Sequence, residues 1–345
     1  MNLTNQSCVV GFGDLLVSLS PPGYYRLLQA SQVGIFYTGA EANVCASLAR
    51  FGMKTEFVTR LPRNDVADAA LASLHKYGIG TSYIAWGGER IGVLYLEKGA
   101  SQRPSKVIYD RRHTAICEAK PEDFDFAAIF SNAAWFHFTG ITPALSESTP
   151  AVCLAACRAA KAHGLTVSCD LNYRSKLWSR ERAGEVMRQL LPYVDVLIAN
   201  EEDAAQVLGI RAGKSDVESG VLDRAGYVDV ARQIREQFGI SRVATTLRKS
   251  ISASDNDWSA LFCSDGTPYF SREYSIRIVN RVGGGDSFAA GLIYSLMQGY
   301  APQDAVEFAA AASCLKHSIE DDFNIVTAEE VWDLVHGNGS GRVKR

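Results

Sequence analysis

An α/β fold is predicted by three features of the sequence. From about residue 122, short apolar runs alternate with helical patterns, the rhythm of a parallel sheet covered by helices. Before that point, strand-like segments follow one another without helices between them, which reads as a small β unit able to cover a site as a lid. With 345 residues, 47% of them hydrophobic, the chain is long enough for one large core with such an accessory and is far from a disordered composition.

The elements follow in order. CVVGFGD is a strand, and GAEANVCASLARFG is a helix with Gly52 as its stop signal. LLVSLSPPGYYRLLQASQVGIFYT and SYIAWGGERIGVLYLEKGASQRPSKVIYDRR supply the β unit, placed at about 15–37 and 82–113. AAWFHFTG (133–140) is a strand, AVCLAACRAAKAHG (151–164) a helix ended by Gly164, and LTVSCDLN (165–172) the next strand. RAGEVMRQLLPYV is helical, DVLIAN a strand, EEDAAQVLG and YVDVARQIREQFG helices, RVATTL a strand and SFAAGLIYSLMQG a helix. Residues 1–335 form one domain in this reading, and 336–345, which lack apolar anchors, read as a mobile tail. Ligand groups are expected at the carboxyl ends of the strands.

Charge narrows the partner. The net charge is −3 and the Lys and Arg residues are scattered, so there is no electrostatic footprint for nucleic acid or anionic lipid. A small molecule is the better default. The N-terminus has no cationic stretch followed by an apolar run, and no apolar segment approaches the ~18 residues that span a bilayer, which predicts a soluble, cytoplasmic protein. Most of the eight cysteines lie in apolar stretches, as free thiols do in a reducing compartment. Cys153 and Cys157 are one helical turn apart but have no second Cys or His pair at ligand spacing, so both are assigned to the core.

The chemistry concentrates at NRVGGGDSFAAG, residues 280–291. Gly283, Gly284 and Gly285 permit positive φ and close approach of a ligand to the backbone, and the helix that follows turns their amides into an anion pocket. Asp286, in the first helical turn, is expected to stay ionised beside the positive end of the helix dipole. A carboxylate that takes a hydroxyl proton while amides hold developing negative charge is what phosphoryl transfer to an alcohol requires. Taken alone, the motif leaves a plain capped helix start open. Its context argues for a site: Gly39 and Asn43 lie at a second turn-to-helix, placed to bind the hydroxyls of a polyol substrate, and Asp14, Asp170, Asn172 and Arg174 stand at strand ends. GIRAGKS (209–215) has three residues between its glycines where a P-loop needs four, and GFGD lacks the third glycine of a dinucleotide fingerprint, Leu16 standing in its place.

GFGDLLVSLSPPG, TGAEANVCASLARFG, YDRRH, HFTGITPAL, SCDLNYRSKLW, IANEEDA and VGGGDSFAAGLIY resemble the PfkB (ribokinase-like) sugar kinases, from about residue 9 to about residue 335. The glycine–aspartate motif marks the superfamily, and YDRR with DLNYRSKLW resembles its acid-sugar subgroup. The resemblance implies a three-layer αβα ribokinase-like domain with a small β-sheet lid, often paired lid to lid as a dimer. It implies ATP-dependent phosphorylation of 2-dehydro-3-deoxy-D-gluconate at the 6-hydroxyl, using Mg²⁺, in hexuronate or Entner–Doudoroff catabolism. By position, Asp286 is then the base and Gly283 to Gly285 the anion hole. Gly39, Tyr109, Arg111 and Arg174 contact the sugar, and Asn172 and Thr246 lie on the nucleotide side. An arginine fork matches a carboxylate bidentately, a reason for arginines that a neutral sugar does not give.

Several positions depart from the pattern. Thr38 replaces a common second glycine. A substrate-facing tyrosine falls at Leu94, with Tyr95 one place on and so on the opposite face of its strand. Asn280 replaces a frequent aspartate, which weakens the expectation of a monovalent cation there. TLRKSIS and Asp321 replace glycine-containing segments near the nucleotide, and Asp203, in place of glutamate, is a candidate to order Mg²⁺ through water. A kinase for a neutral substrate such as fructose or a nucleoside, and a non-catalytic sugar or nucleotide sensor of the same fold, remain alternatives.

Overall fold

A computed structural model describes residues 7–211 and 224–337. The expected tail from 338 onward and the end of GIRAGKS lie outside these residues. The main sheet has nine strands. From one edge run β4 (Lys54–Val58), β1 (Cys8–Phe12), β9 (Ala133–Thr139), β10 (Thr166–Asp170), β11 (Val196–Ile198) and β12 (Arg242–Ser250), all parallel. The other edge departs from the expected parallel pattern. Here β12 pairs antiparallel with β13 (Asp255–Ser264), which in turn pairs antiparallel with β14 (Thr267–Phe270) and β15 (Tyr274–Arg277). Asp265 and Gly266 make the β13–β14 turn at φ +51° and +90°, the left-handed pair that a two-residue hairpin requires.

Helices cover both faces because the strands alternate. Val10, Phe136, Val167, Leu197 and Val243 pack with α3 (Phe126–Phe130), α4 (Thr149–Ala162), α5 (Arg180–Leu190) and α7 (Arg224–Phe238). Their neighbours Val9, Trp135, Val196 and Ala244 pack with α1 (Ala40–Arg50), α8 (Gly284–Met297), α9 (Pro302–Lys316) and α10 (Ala328–Val335) on the other face. This is the predicted three-layer arrangement. Cys153 and Cys157 are buried on α4, and all eight cysteines are unpaired. The segment EEDAAQVLG forms one short helical turn, α6 (Glu201–Asp203), and a π-helical turn that ends at Gly209, φ +74°. Among the described residues no helix is long and apolar enough to cross a membrane.

A second sheet is formed by β3 (Gly34–Thr38), β2 (Leu16–Ser20), β7 (Gly92–Glu97) and β8 (Lys106–Asp110), in that order. Leu94 is paired with Tyr109 and Tyr95 with Ile108, so Leu94 and Tyr95 face opposite ways. Leu16, Leu94 and Leu96 pack on Val282, immediately before the glycine turn. At its base this sheet meets α1 and α2 (Asp65–Lys76) through Val17, Ala42 and Leu74. A two-stranded pair, β5 (Arg60–Leu61) and β6 (Ala85–Trp86), lies beside it.

Candidate active site

The glycine turn is built by close approach on one side and openness on the other. Gly283 has φ +82°, and a Cβ there would stand 2.4 Å from the Asp322 carbonyl oxygen and 3.2 Å from Lys316 Cε. A Cβ on Gly284 would strike the His317 ring at 2.6 Å, whereas one on Gly285 would meet nothing within 4 Å. Ser313 Oγ donates to the Gly284 carbonyl at 2.7 Å, so the last turns of α9 brace the glycines from behind. Ser287 N–H bonds Gly283 O at 2.8 Å, while the first-turn amides of Gly285 and Asp286 have no intrahelical acceptor. A bare backbone whose first-turn amides face open space has the form of an anion-binding helix start.

Asp286 is 9% exposed, and its Oδ2 accepts from Asn43 Nδ2 at 2.7 Å. Asn43 Oδ1 in turn accepts from the Thr38 hydroxyl at 3.3 Å, so one asparagine on α1 fixes one carboxylate oxygen and leaves the other to accept a proton. Burial pushes Asp286 up to about 6, opposed by the Asn43 hydrogen bond and by Arg174 and Lys316, and reinforced by Asp322. The helix dipole alone predicts a more strongly ionised group; desolvation moves it towards neutrality but leaves it charged at pH 7.

Around Asp286 stand two more buried acids. Asp170, at the end of β10, is raised well above the ordinary range by burial and by the charges of Asp203 and Asp286, with Arg174 opposing. Burial likewise lifts Asp203 to about 6. Its Oδ1 accepts from Tyr173 N at 3.1 Å, and Asp170 Oδ1 from Asn172 N at 3.1 Å. Asn172 adopts φ +38°, a conformation that asparagine tolerates better than most residues. Arg174 is exposed, and its guanidinium donates to the Tyr173 carbonyl at 3.0 Å. It is the cation that faces all three acids.

The second sheet contributes another cluster. Arg111, 7% exposed, follows β8 directly, lies 3.9 Å from Asp14 Oδ2 and stacks 4.2 Å over the Tyr109 ring. Its neighbour Asp110 pairs instead with Arg90 at 3.0 Å, and Arg112 is exposed. Burial raises Asp14 to about 6 against the pull of Arg111. Arg111 Nε and Asp14 Oδ2 are both buried without hydrogen-bond partners among the described residues, and an unsatisfied buried group of this kind calls for an explanation. Gly39 joins the two clusters: it caps α1, and a Cβ there would lie 2.0 Å from the Asp14 carbonyl oxygen. Thr246 sits on β12, two strands over from Asp170, paired with Ala260 and half-buried.

Among the buried ionisable side chains that the sequence did not single out, two stand close to the site. Glu41 on α1 is 1% exposed, and its Oε1 accepts from Thr139 N (2.9 Å), Thr139 Oγ1 (2.8 Å) and Thr142 Oγ1 (2.8 Å). It ties the helix that carries Asn43 to the end of β9. Gly13 is needed because a Cβ would run into the Glu41 carboxylate, so the GFGD glycines serve helix packing. The second is Lys316 on α9, fully buried.

The model of the pfkB family carbohydrate kinases matches residues 8–320. The chain belongs to this family. It is 31% identical to 2-dehydro-3-deoxygalactonokinase of Haloferax volcanii, over 96% of this chain and 98% of that one. The crystal structure of 2-dehydro-3-deoxygluconokinase from Thermotoga maritima superposes with a TM-score of 0.93 at 50% identity, covering 96% of this chain and all of the other. The 5-dehydro-2-deoxygluconokinase of Geobacillus kaustophilus is 27% identical, over 97% and 96% of the two chains. The chain is therefore a carbohydrate kinase with a ribokinase-like fold.

Proposed function

We propose that this kinase transfers the terminal phosphoryl group of ATP to the 6-hydroxyl of 2-dehydro-3-deoxy-D-gluconate. The observation that carries the reading is Asp286, held by Asn43 in the first turn after Gly283, Gly284 and Gly285. Asp286 takes the hydroxyl proton through its free oxygen. The first-turn amides hold the negative charge of the migrating group, and the loose transition state demands positioning and neutralisation of this kind.

Arg111 and Arg174 receive the sugar carboxylate, with Tyr109 and Gly39 shaping the sugar site and Asn43 aligning the base. Asn172 and Thr246 face the nucleotide. The acids at the ends of β10 and α6 suit Mg²⁺, which Asp203 orders through water. When bound, Mg²⁺ neutralises phosphate charge. The second sheet acts as the lid and excludes water. Exposed Leu28 (97%), Ile35 (64%) and Ile108 (41%) on that unit supply the apolar face for a lid-to-lid dimer in the cytoplasm.

The test is ADP release with ATP and Mg²⁺ over 2-dehydro-3-deoxygluconate, its galactonate epimer and fructose. Turnover of the gluconate acid at the highest kcat/KM is expected. A preference for fructose would overturn the substrate assignment, and no ADP release with any sugar would favour a sensor.

A further inference from the structure

Behind the glycine turn lies a charge that takes no part in the proposed transfer step. Lys316, last residue of α9, is 0% exposed, and its ammonium has no hydrogen-bond partner among the described residues. An unpaired buried ammonium is expensive, and an apolar side chain of the same shape would cost less. Its position is specific: Lys316 Cε packs against the back of Gly283, at 3.2 Å from where a Cβ would stand. Asp322 attracts it without forming a hydrogen bond or ion pair with it, its Oδ1 accepting instead from Asn280 Nδ2 at 2.9 Å. The carboxyl end of α9 favours a cation, and Ser313 and His317 fasten that same helical end to Gly284.

We propose that Lys316 is the standing positive charge of the phosphoryl site, its ammonium behind Gly283 adding to the first-turn amides of α8 in neutralising the migrating group. This rests on reading Gly283 to Gly285 as the phosphoryl seat. In the step itself the sugar oxygen bonds phosphorus as the bond from phosphorus to the nucleotide oxygen breaks, and the hydroxyl proton goes to Asp286. Lys316 neither gives nor takes a proton. It acts through space from a fully buried position, where water screens it little, and so is a positioning charge that touches no substrate.

The test compares Lys316→Met, Lys316→Arg and Lys316→Ala with the parent, reading kcat, both KM values and melting temperature. Lys316→Met should stay folded, keep its sugar KM within about twofold, and lose roughly 10- to 100-fold in kcat. Lys316→Ala should regain part of that loss with added methylammonium, to which the parent is indifferent. Lys316 faces Asp286 from α8, Asp321 and Asp322 from the next loop, Lys98 from the end of β7, and its neighbour His317. Burial lowers it to about 8, so parental kcat should fall above that pH, and Lys316→Arg should shift the fall upward. Undiminished kcat in Lys316→Met overturns the proposal. So does a loss shared by kcat, KM and melting temperature that methylammonium leaves untouched, which would mark Lys316 as a prop for Asp322. Asp286→Asn separates the two readings: if it is inactive while Lys316→Met is not, only the lysine proposal falls, and if it turns over normally, the phosphoryl seat itself falls.

Discussion

Replacing Asp286 by asparagine should make the protein more stable and nearly inactive at once. The carboxyl is raised from the usual 3.8 to about 6, chiefly by burial. At about 1.4 kcal/mol per pH unit, holding it ionised at pH 7 costs the folded state ~3 kcal/mol. The sign follows from the raised value: the contribution is fully favourable below the unfolded pKa and is lost as pH rises through 6. Asparagine carries no charge and can keep an oxygen towards Asn43 Nδ2, so Asp286→Asn should recover most of that cost, a rise in Tm on the order of 5 °C. Turnover should fall ~10²- to 10⁴-fold with the general base gone, while sugar binding by calorimetry persists. Thermal unfolding at pH 7 and at pH 5 is the assay, the gain shrinking at the lower pH. A variant that melts no higher than the parent at pH 7 refutes the burial argument, and one that keeps its turnover refutes the assignment of the base.

Other outcomes follow from the same geometry. The parental kcat should rise with pH through about 6 as Asp286 ionises, and a pH–rate profile flat between 5 and 7 would contradict this. Arg111→Ala should raise KM for the acid sugar by roughly 10- to 100-fold with little change in KM for ATP, measured by steady-state kinetics. Gly39→Ala should destabilise by at least ~2 kcal/mol in urea titration, because its Cβ falls 2.0 Å from a backbone oxygen that has nowhere to go.

Much of the fold was legible because β1, β9, β10, β11 and β12, with helices α1, α4, α5, α7 and α8, announce themselves locally through an apolar run or a helical period, whereas β4, α3, α9 and α10 were not assigned from the sequence. The antiparallel edge was also signalled, by Asp265 and Gly266 between apolar runs, but the α/β rhythm before it invites one more parallel strand. The glycine turn could be read for the same local reason. What could not be read is the bond between Asn43 and Asp286, 243 residues apart in the chain, since each residue alone is a helix-start polar group. Glu41 and Lys316 stayed hidden for a related cause. An acid in a first turn and a lysine in a last turn are what the helix dipole favours on any solvent-facing helix, and only tertiary packing shows that both lie in the interior.

The join between the two sheets carries a constraint of length. Strand β3 ends at Thr38 and α1 begins at Ala40, so a single residue separates the second sheet from the helix whose Asn43 holds Asp286. Adding one amino acid there would turn the start of α1 by about 100° about its axis and swing Asn43 off its carboxylate. Insertions and deletions in this chain are therefore expected to be tolerated at exposed loop tips and not at this junction.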